Sequence, residues 1–574
     1  MIFFFVLFLP LLLLLPCATH GQGINITSGG NITVTGSATI ELNNQDFINN
    51  GTFTKGTETV TFSGAAPKTI SGSSNTGINN LSITNTGGIT TQVGLLTTNN
   101  ITIASACRFT IDPVKQVTVN GTLTNSAGTG GLVIKSTATG TGSLKQSTAG
   151  VSGTVERYIA AADWSTWNDG WHFLSSPVGS QAINPAFTVT PADEYDFYGW
   201  YEPTNEWVNF KGTTSGTTWS SANEASSCFL VGKGYMAAYK TEATKIFSGT
   251  LNVSDVTISG LTVSGSTQMN RTWHLLGNPF SSALSWYTGW TKSNIGGVAN
   301  IWNEAGRSYT PISAGGIIPA GNGFMVQADL ADASITIPAA NRVHSAQAWY
   351  KKTNDPVLQL FAHDLDNDSY QESQVRINTE STTGFDSEFD GNFLAGYAPS
   401  FYSVMEGEKL MVNSLPELNS ETVIPFHFIK NEGSNFSIEV KGIETLGTSD
   451  VVYLKDKKLG IDYNLSENNI YSFTSVTGDD AARFELHFGN FTGIKETGSD
   501  SKFNMYVADG ILNIQSLHQS GGKVAVFDIT GRTIAAGRVN AGANTQINIH
   551  GNTGVYIVSV LTSNGIVNTK ILVK

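Results

Sequence analysis

Between Gly23 and Val155 the chain repeats short runs in which every second residue is apolar. They are GNITVTGSATIEL, GTFTKGTETVTFSG, NNLSITNTGGI, NNITIASACRFTI and KQVTVNGTLTNSAG, and Asn or Gly ends each one. A period of two places alternate side chains on one face of a strand, whereas a helix needs a period of 3.6. Asn and Gly tolerate the positive φ angles that turn a chain from one strand into the next. Runs of this kind predict a parallel β-solenoid, each rung burying its Ile, Val, Leu and Phe face against its neighbour. The repeat length wanders, which leaves a twisted β-sandwich as the alternative for 22–155. Similar short strands continue to the C-terminus, so the fold class is all-β. A chain of 574 residues implies roughly three to five domains.

Charge excludes one class of function and weakens another. The formal net charge is −13 and no basic stripe is visible, so a phosphate-reading surface for nucleic acid is excluded. Residues 23–155 hold four acids (Glu41, Asp46, Glu58 and Asp112), six Lys or Arg and no His. Glycoside hydrolysis needs two carboxylates facing each other across a bond, and a lyase needs a base with charge neutralisation. Four scattered acids favour a spacer or binding surface over a polysaccharide lyase or hydrolase. HExxH, GxSxG, Walker and dinucleotide motifs are all missing. No catalytic residue, cofactor or metal is therefore expected.

The N-terminal MIFFFVLFLPLLLLLPCATHGQG is too short and too interrupted by Pro for a membrane span, and suits a signal peptide cleaved after Gly21. Lipidation of Cys17 is the lesser alternative, because Pro16 fits a lipobox poorly. No second such segment follows, so the mature chain is expected to lack a transmembrane segment. Cys107 and Cys228 remain, too distant in sequence to argue for a disulfide framework.

WHFLSSPV at 171–178 returns as WHLLGNPF at 273–280, a shift of 102 residues. Trp200 and Glu202 match Trp302 and Glu304 at the same shift, and Trp207 matches Tyr309. GKGYMAAY at 232–239 answers GNGFMVQA at 321–328, with 13 residues inserted in the first copy. Residues 156–348 thus read as an internal duplication, with copies near 171–250 and 273–345. His172 and His274 stand at strand starts without ligands at metal spacing, and are expected to bond backbone. Among the Trp residues, Trp219, Trp286 and Trp290 are the best candidates for exposure and for stacking on sugar rings.

VERYIAAADWSTWNDGWHFLSSPV with WHLLGNPF and IPAGNGFMVQA resembles the duplicated modules of large surface proteins exported by the bacterial type IX secretion system. Residues 349–493 read as a β-sandwich. There TTGFDSEFDG, NSLPEL and RFELHFG resemble a module that precedes the sorting domain in the same proteins. Asp364, Asp366 and Asp368 alternate as in a calcium loop, but Ser369 replaces the expected Gly and Glu372 comes too early, so a solvated hairpin turn is expected. Residues 497–574 contain VFDITGR, GVYIVSV and a terminal KILVK. They resemble the type A C-terminal sorting domain of that system, an immunoglobulin-like β-sandwich. The resemblance places Gly531 and Arg532 in a turn, Gly554, Tyr556 and Val558 on the penultimate strand, and Lys570 and Lys574 on the last. It implies the type IX machinery at the outer membrane as a partner, and a secreted or surface location reached through the periplasm. The expected function is non-enzymatic adhesion, or binding of polysaccharide or host matrix. A solenoid carbohydrate-active enzyme or a purely structural envelope protein is the alternative.

Overall fold

Alternate residues of the N-terminal strands stack into continuous apolar rows. One row runs Phe47, Ile70, Thr91, Ile111, Ile134 and Val155, each pair hydrogen-bonded in parallel register; a second runs Leu42, Phe62, Ile83 and Ile103. Successive members lie 20 to 23 residues apart, so the wandering repeat is one rung of slightly variable corner length. In the computed structural model the described residues are 23–163, 170–189, 191–212, 216–264, 272–286, 289–345, 357–446, 451–489, 503–508, 511–516, 521–528, 531–542, 544–549, 554–562 and 565–573; the expected signal peptide lies outside them. Residues 23–159 form a parallel solenoid, which decides between the two folds expected for this stretch. Asn44, at φ 52°, turns one corner, and its Oδ1 accepts from the Ala65 and Ala66 amides at 2.9 Å. At Gly72, at φ 118°, a Cβ would lie 2.1 Å from the Asn49 carbonyl oxygen, so the corner admits only glycine.

The downstream end of the solenoid is capped. Its last long strand, Ser152–Ile159, pairs antiparallel with Ala243–Thr250, and Leu144 exchanges hydrogen bonds with Ser281 (2.9 and 3.1 Å). Capping satisfies the open strand edge that a stacked array would otherwise expose.

The repeated phrases build two four-stranded antiparallel sheets of one topology. The first has the order His172–Leu174, Tyr235–Tyr239, Tyr195–Tyr201, Glu206–Asn209; the second Trp273–Gly277, Gly323–Gln327, Ala299–Asn303, Ser308–Ile312. Registers correspond too. Phe173 opposes Met236 as Leu275 opposes Met325, and Trp200 opposes Trp207 as Trp302 opposes Tyr309. The sheets exchange reciprocal bonds, Ser175 N to Gly321 O at 2.9 Å and Gly277 N to Gly232 O at 2.8 Å.

Packing runs on past residue 349. The hairpin Val357–Asp364 with Ser369–Ile377, and the strands Ser400–Met405 and Glu408–Leu415, form a sheet that meets the second of the two four-stranded sheets. Ser308 Oγ donates to Tyr370 O at 2.7 Å, and Gly297 N donates to Ser387 O at 2.8 Å. Phe393, Leu394, Tyr402 and Met411 share one buried cluster with Phe173, Trp200, Trp302 and Tyr309. By packing density the chain divides into two units, 1–417 with 426–445 and 472–481, and 418–425 with 446–471 and 482–574. In the second unit Val452–Asp456 pairs with Ile461–Asn464 and Phe484–Phe488.

Candidate functional site

The seven C-terminal strands form two antiparallel sheets. Phe503–Ala508, Ile511–Ser516 and Asn544–Asn548 make one; Thr533–Val539, Gly522–Asp528, Gly554–Thr562 and Gly565–Val573 make the other. Leu512, Ile514, Val524, Val526, Val558 and Val560 are buried between them. Each strand of the core supplies alternate apolar residues, as a two-layer sandwich requires. Gly531 sits at φ 82° in the turn between Gly522–Asp528 and Thr533–Val539. Asp528 clamps that turn, accepting from Arg532 N at 3.0 Å and from Arg532 Nε at 3.1 Å. Gly554, Tyr556 and Val558 lie on the penultimate strand, with Tyr556 and Val558 buried, and exposed Lys570 on the last strand opposes Ile557. Lys574 lies outside the described residues.

The aromatic candidates are another matter. The expected exposure of Trp286 and Trp290 is corrected: both indoles are interior, 4.9 Å apart edge-to-face, and both pack on Phe324. Their Nε1–H groups donate to Gly297 O (2.9 Å) and Ser285 O (3.0 Å), the satisfied state that burial of an indole demands. The flanking strands Ala283–Ser285 and Thr291–Ser293 are only three residues long, so Trp286 and Trp290 supply core volume that they do not. Trp219 is half-buried rather than presented to solvent. It opens a single helical turn capped by Thr218, and its ring packs on Phe197, Phe210 and Tyr235.

His172 and His274 each bond backbone as expected, His172 Nε2 to Ala160 O at 3.3 Å and His274 Nε2 to Thr262 O at 2.8 Å. The sequence reading missed that His172 also meets Glu304 and that His274 lies within electrostatic reach of Glu202. His172 Nδ1 pairs with Glu304, while Glu202 is buried beside His274. Glu202 accepts from Ser264 N and Oγ (2.8 Å each), from Thr272 N (3.1 Å) and from Thr262 Oγ1. Burial pushes the Glu202 carboxyl up, but these bonds outweigh it and hold the carboxyl below its ordinary range; burial pushes His274 down. The equal 102-residue offsets of the His and Glu pairs carried the signal. A reading of the copies as facing partners, rather than separate beads, would have found it.

The four solenoid acids serve as local acceptors. Glu58 is fully buried and takes the Gly56 and Asn79 amides (2.7 and 2.8 Å). Asp46 takes Thr69 N and Oγ1, Glu41 takes Ser63 Oγ, and Asp112 takes Gln92 Nε2. Asp364 and Asp366 lie in a hairpin turn. Asp364 accepts the Asp366 and Asn367 amides, and Asp366 accepts the Ser434 and Asn435 amides (2.7 and 3.0 Å), contacts that hold its carboxyl below the ordinary range. Asp368 takes the φ 50° turn position. Among the described residues no three His, Cys, Asp or Glu side chains gather into a metal-holding group, and Cys107 and Cys228 are both free thiols.

On the outer face of the first four-stranded sheet, Trp171 and Tyr198 meet edge-to-face with centroids 5.6 Å apart. Beside them Asp196 pairs with Lys211 at 2.7 Å and accepts from Asn209 Nδ2 at 3.0 Å. These residues are half-exposed or exposed, and the sequence reading did not single them out.

The C-terminal strands thus form a two-sheet sandwich with a clamped Gly-Arg turn and a long terminal hairpin. Residues 508–574 match the secretion system C-terminal sorting domain family, and the protein is a type IX secretion system substrate carrying that domain. It is therefore a secreted or outer-surface protein that engages the type IX machinery. Residues 297–488 match a family described as a domain of unknown function (DUF8693), which spans residue 349 just as the shared packing does. No curated protein matches the chain. A solved structure entitled "Biofilm associated protein - BSP domain" is similar at 11% identity over 73% of this chain and 96% of that one, with a TM-score of 0.11. Among the described residues no helix is long and apolar enough to cross a membrane.

Proposed function

We propose that this exported protein is a non-enzymatic binding protein acting in adhesion, with polysaccharide of a matrix or surface as its ligand. The observation that carries this reading is the use of the solenoid acids. Glu41, Asp46, Glu58 and Asp112 are each engaged by separate local donors, where a hydrolase would hold two carboxylates across one bond. The solenoid then acts as a spacer between the envelope and the ligand, and residues 1–21 act as the signal that delivers the chain to the periplasm. The two four-stranded sheets are copies made by internal duplication, which accounts for their shared order and register.

The test is a polysaccharide array with the full mature chain, 22–574, and a reducing-sugar assay run on the same samples. Binding without new reducing ends is the expected result. New reducing ends would overturn the non-enzymatic reading and send mutagenesis to the four acids. Silence in both would leave a structural envelope role.

A further inference from the structure

The two four-stranded sheets offer equivalent faces to different surroundings. On the second sheet Trp273, Val298, Asn300, Tyr309 and Met325 are buried, and Phe393, Leu394, Tyr402 and Met411 belong to the cluster that encloses Trp273, Tyr309 and Met325. The corresponding residues of the first sheet are Trp171, Asp196, Tyr198, Trp207 and Met236, and every one is half-exposed. The same face is therefore buried throughout in the second sheet and only in part in the first, where Phe173 and Trp200 lie in that cluster while Trp171, Asp196 and Tyr198 keep part of their surface in solvent.

Substitutions between the copies identify what the open face suits. Where the covered sheet carries Val298 and Pro311, both buried, the open sheet carries Asp196 and Asn209. A dry protein layer like the one on the second sheet would strip water from that carboxylate and amide, at a cost their mutual bond does not fully offset. A wet ligand avoids the cost. Asp196 is neutralised by Lys211 at 2.7 Å, and the Lys211 ammonium is otherwise spent on the Ala192 and Tyr195 carbonyls, so the polar group offers acceptors without net charge. Next to it, the rings of Trp171 and Tyr198 stand at 73° to each other. A pyranose combines an apolar C–H face with a rim of hydroxyls, which matches aromatic surface bordered by neutral polar groups.

We propose that this face is a binding site for a neutral polysaccharide chain, with Trp171 and Tyr198 stacking on sugar rings and the Asp196 and Asn209 side-chain oxygens accepting from their hydroxyls. The inference rests on the polysaccharide-binding reading above and adds to it a place and a charge class.

The experiment is affinity electrophoresis of the full mature chain in native gels cast with laminarin, xylan or mannan, with polygalacturonate as the anionic comparison. Wild type is expected to be retarded by at least one neutral polymer and not by polygalacturonate. Tyr198→Asn installs the residue that the second sheet already folds around at this position, and should weaken retardation by about three- to tenfold. Tyr198→Phe keeps the ring and should bind nearly as wild type, and near-isosteric Asp196→Asn tests the polar rim without removing volume. Unchanged retardation of both Tyr198→Asn and Asp196→Asn would overturn the site while leaving polysaccharide binding intact elsewhere. Stronger retardation by polygalacturonate would overturn the charge class, and no retardation of wild type in any gel would overturn both the site and the reading beneath it.

Discussion

Thr91 is the one polar member of the inward row Phe47, Ile70, Thr91, Ile111, Ile134, Val155. It is fully buried, and its Oγ1 has no hydrogen-bond partner among the described residues. A hydroxyl taken from water without a partner costs roughly 1–3 kcal/mol in proteins. Val replaces that hydroxyl with a methyl of nearly the same size, keeps the β-branched χ1 preference and suits a strand at least as well. Thr91→Val should therefore stabilise the solenoid by about 1–2 kcal/mol. Rungs contact mainly their neighbours, so the gain should appear locally before it appears globally. Hydrogen exchange read by mass spectrometry on peptides covering 89–111 is the assay, and protection there should rise by about 5- to 30-fold. Faster exchange in the variant would refute the reasoning, because it would mean that Oγ1 is satisfied in solution by a buried water.

Three further outcomes follow from the packing and the charges. Asp456, almost fully buried, accepts from Arg483 Nε and Tyr471 Oη at 2.9 Å each. Asp456→Ala takes the carboxylate away from a buried guanidinium and should cost the second unit about 3–5 kcal/mol, seen as a lower urea midpoint. Burial pushes the Asp456 carboxyl up but Arg483 and Tyr471 hold it below its ordinary range; the stabilisation is thus complete above the unfolded value near pH 4 and fades as pH falls through the folded one. His344 bonds Thr118 and Ser143 through its two ring nitrogens, at 2.8 Å each, and burial, with Lys145 adding to it, lowers its pKa from 6.5 to about 4. Between pH 6.5 and 4 the unfolded chain takes up a proton that the folded chain refuses, so stability falls on acidification by at most about 1.4 kcal/mol per pH unit, less for solvent screening. His344→Gln should flatten that part of a denaturation-against-pH profile, and an unchanged slope would show that His344 does not set it. Deleting 497–574 should leave the protein in the periplasm on cell fractionation, and normal secretion of the truncated chain would remove the sorting role.

What the sequence revealed and what it hid divide along the range of the interactions. Strand period, corner residues and the Asp528-to-Arg532 turn are local, and alternation with Asn and Gly punctuation is enough to specify them. The seven strands of the sorting domain and the inward rows of the solenoid were legible for that reason. Burial of an aromatic is decided by whatever packs over it from elsewhere in the chain. Trp286 and Trp290 stand between polar and glycine residues that read as a surface loop, yet they fill the core of the second sheet against Phe324. The packing across residue 349 was hidden by the same limit, since no linker composition marks it and the contacts from Tyr370 and Ser387 span dozens of residues.

Two sheets of one strand order and register carry more information than either alone, because they report one fold in two environments. Identical residues at the 102-residue offset mark what the fold itself requires: Trp200 and Trp302 in the shared core, and His172 and His274 against the carbonyls of Ala160 and Thr262, themselves 102 residues apart. Differences mark what each copy meets outside. Asp196 against Val298 and Asn209 against Pro311 fall on one face, and there the second sheet is buried while the first stays partly exposed. Had both faces been roofed, a carboxylate on one of them would have been a buried charge needing a dedicated partner inside the roof; instead it pairs with Lys211, which is itself solvent-exposed. The differences between the two sheets are thus accounted for by their different neighbours, and the partly exposed face of the first sheet brings polar and aromatic groups together.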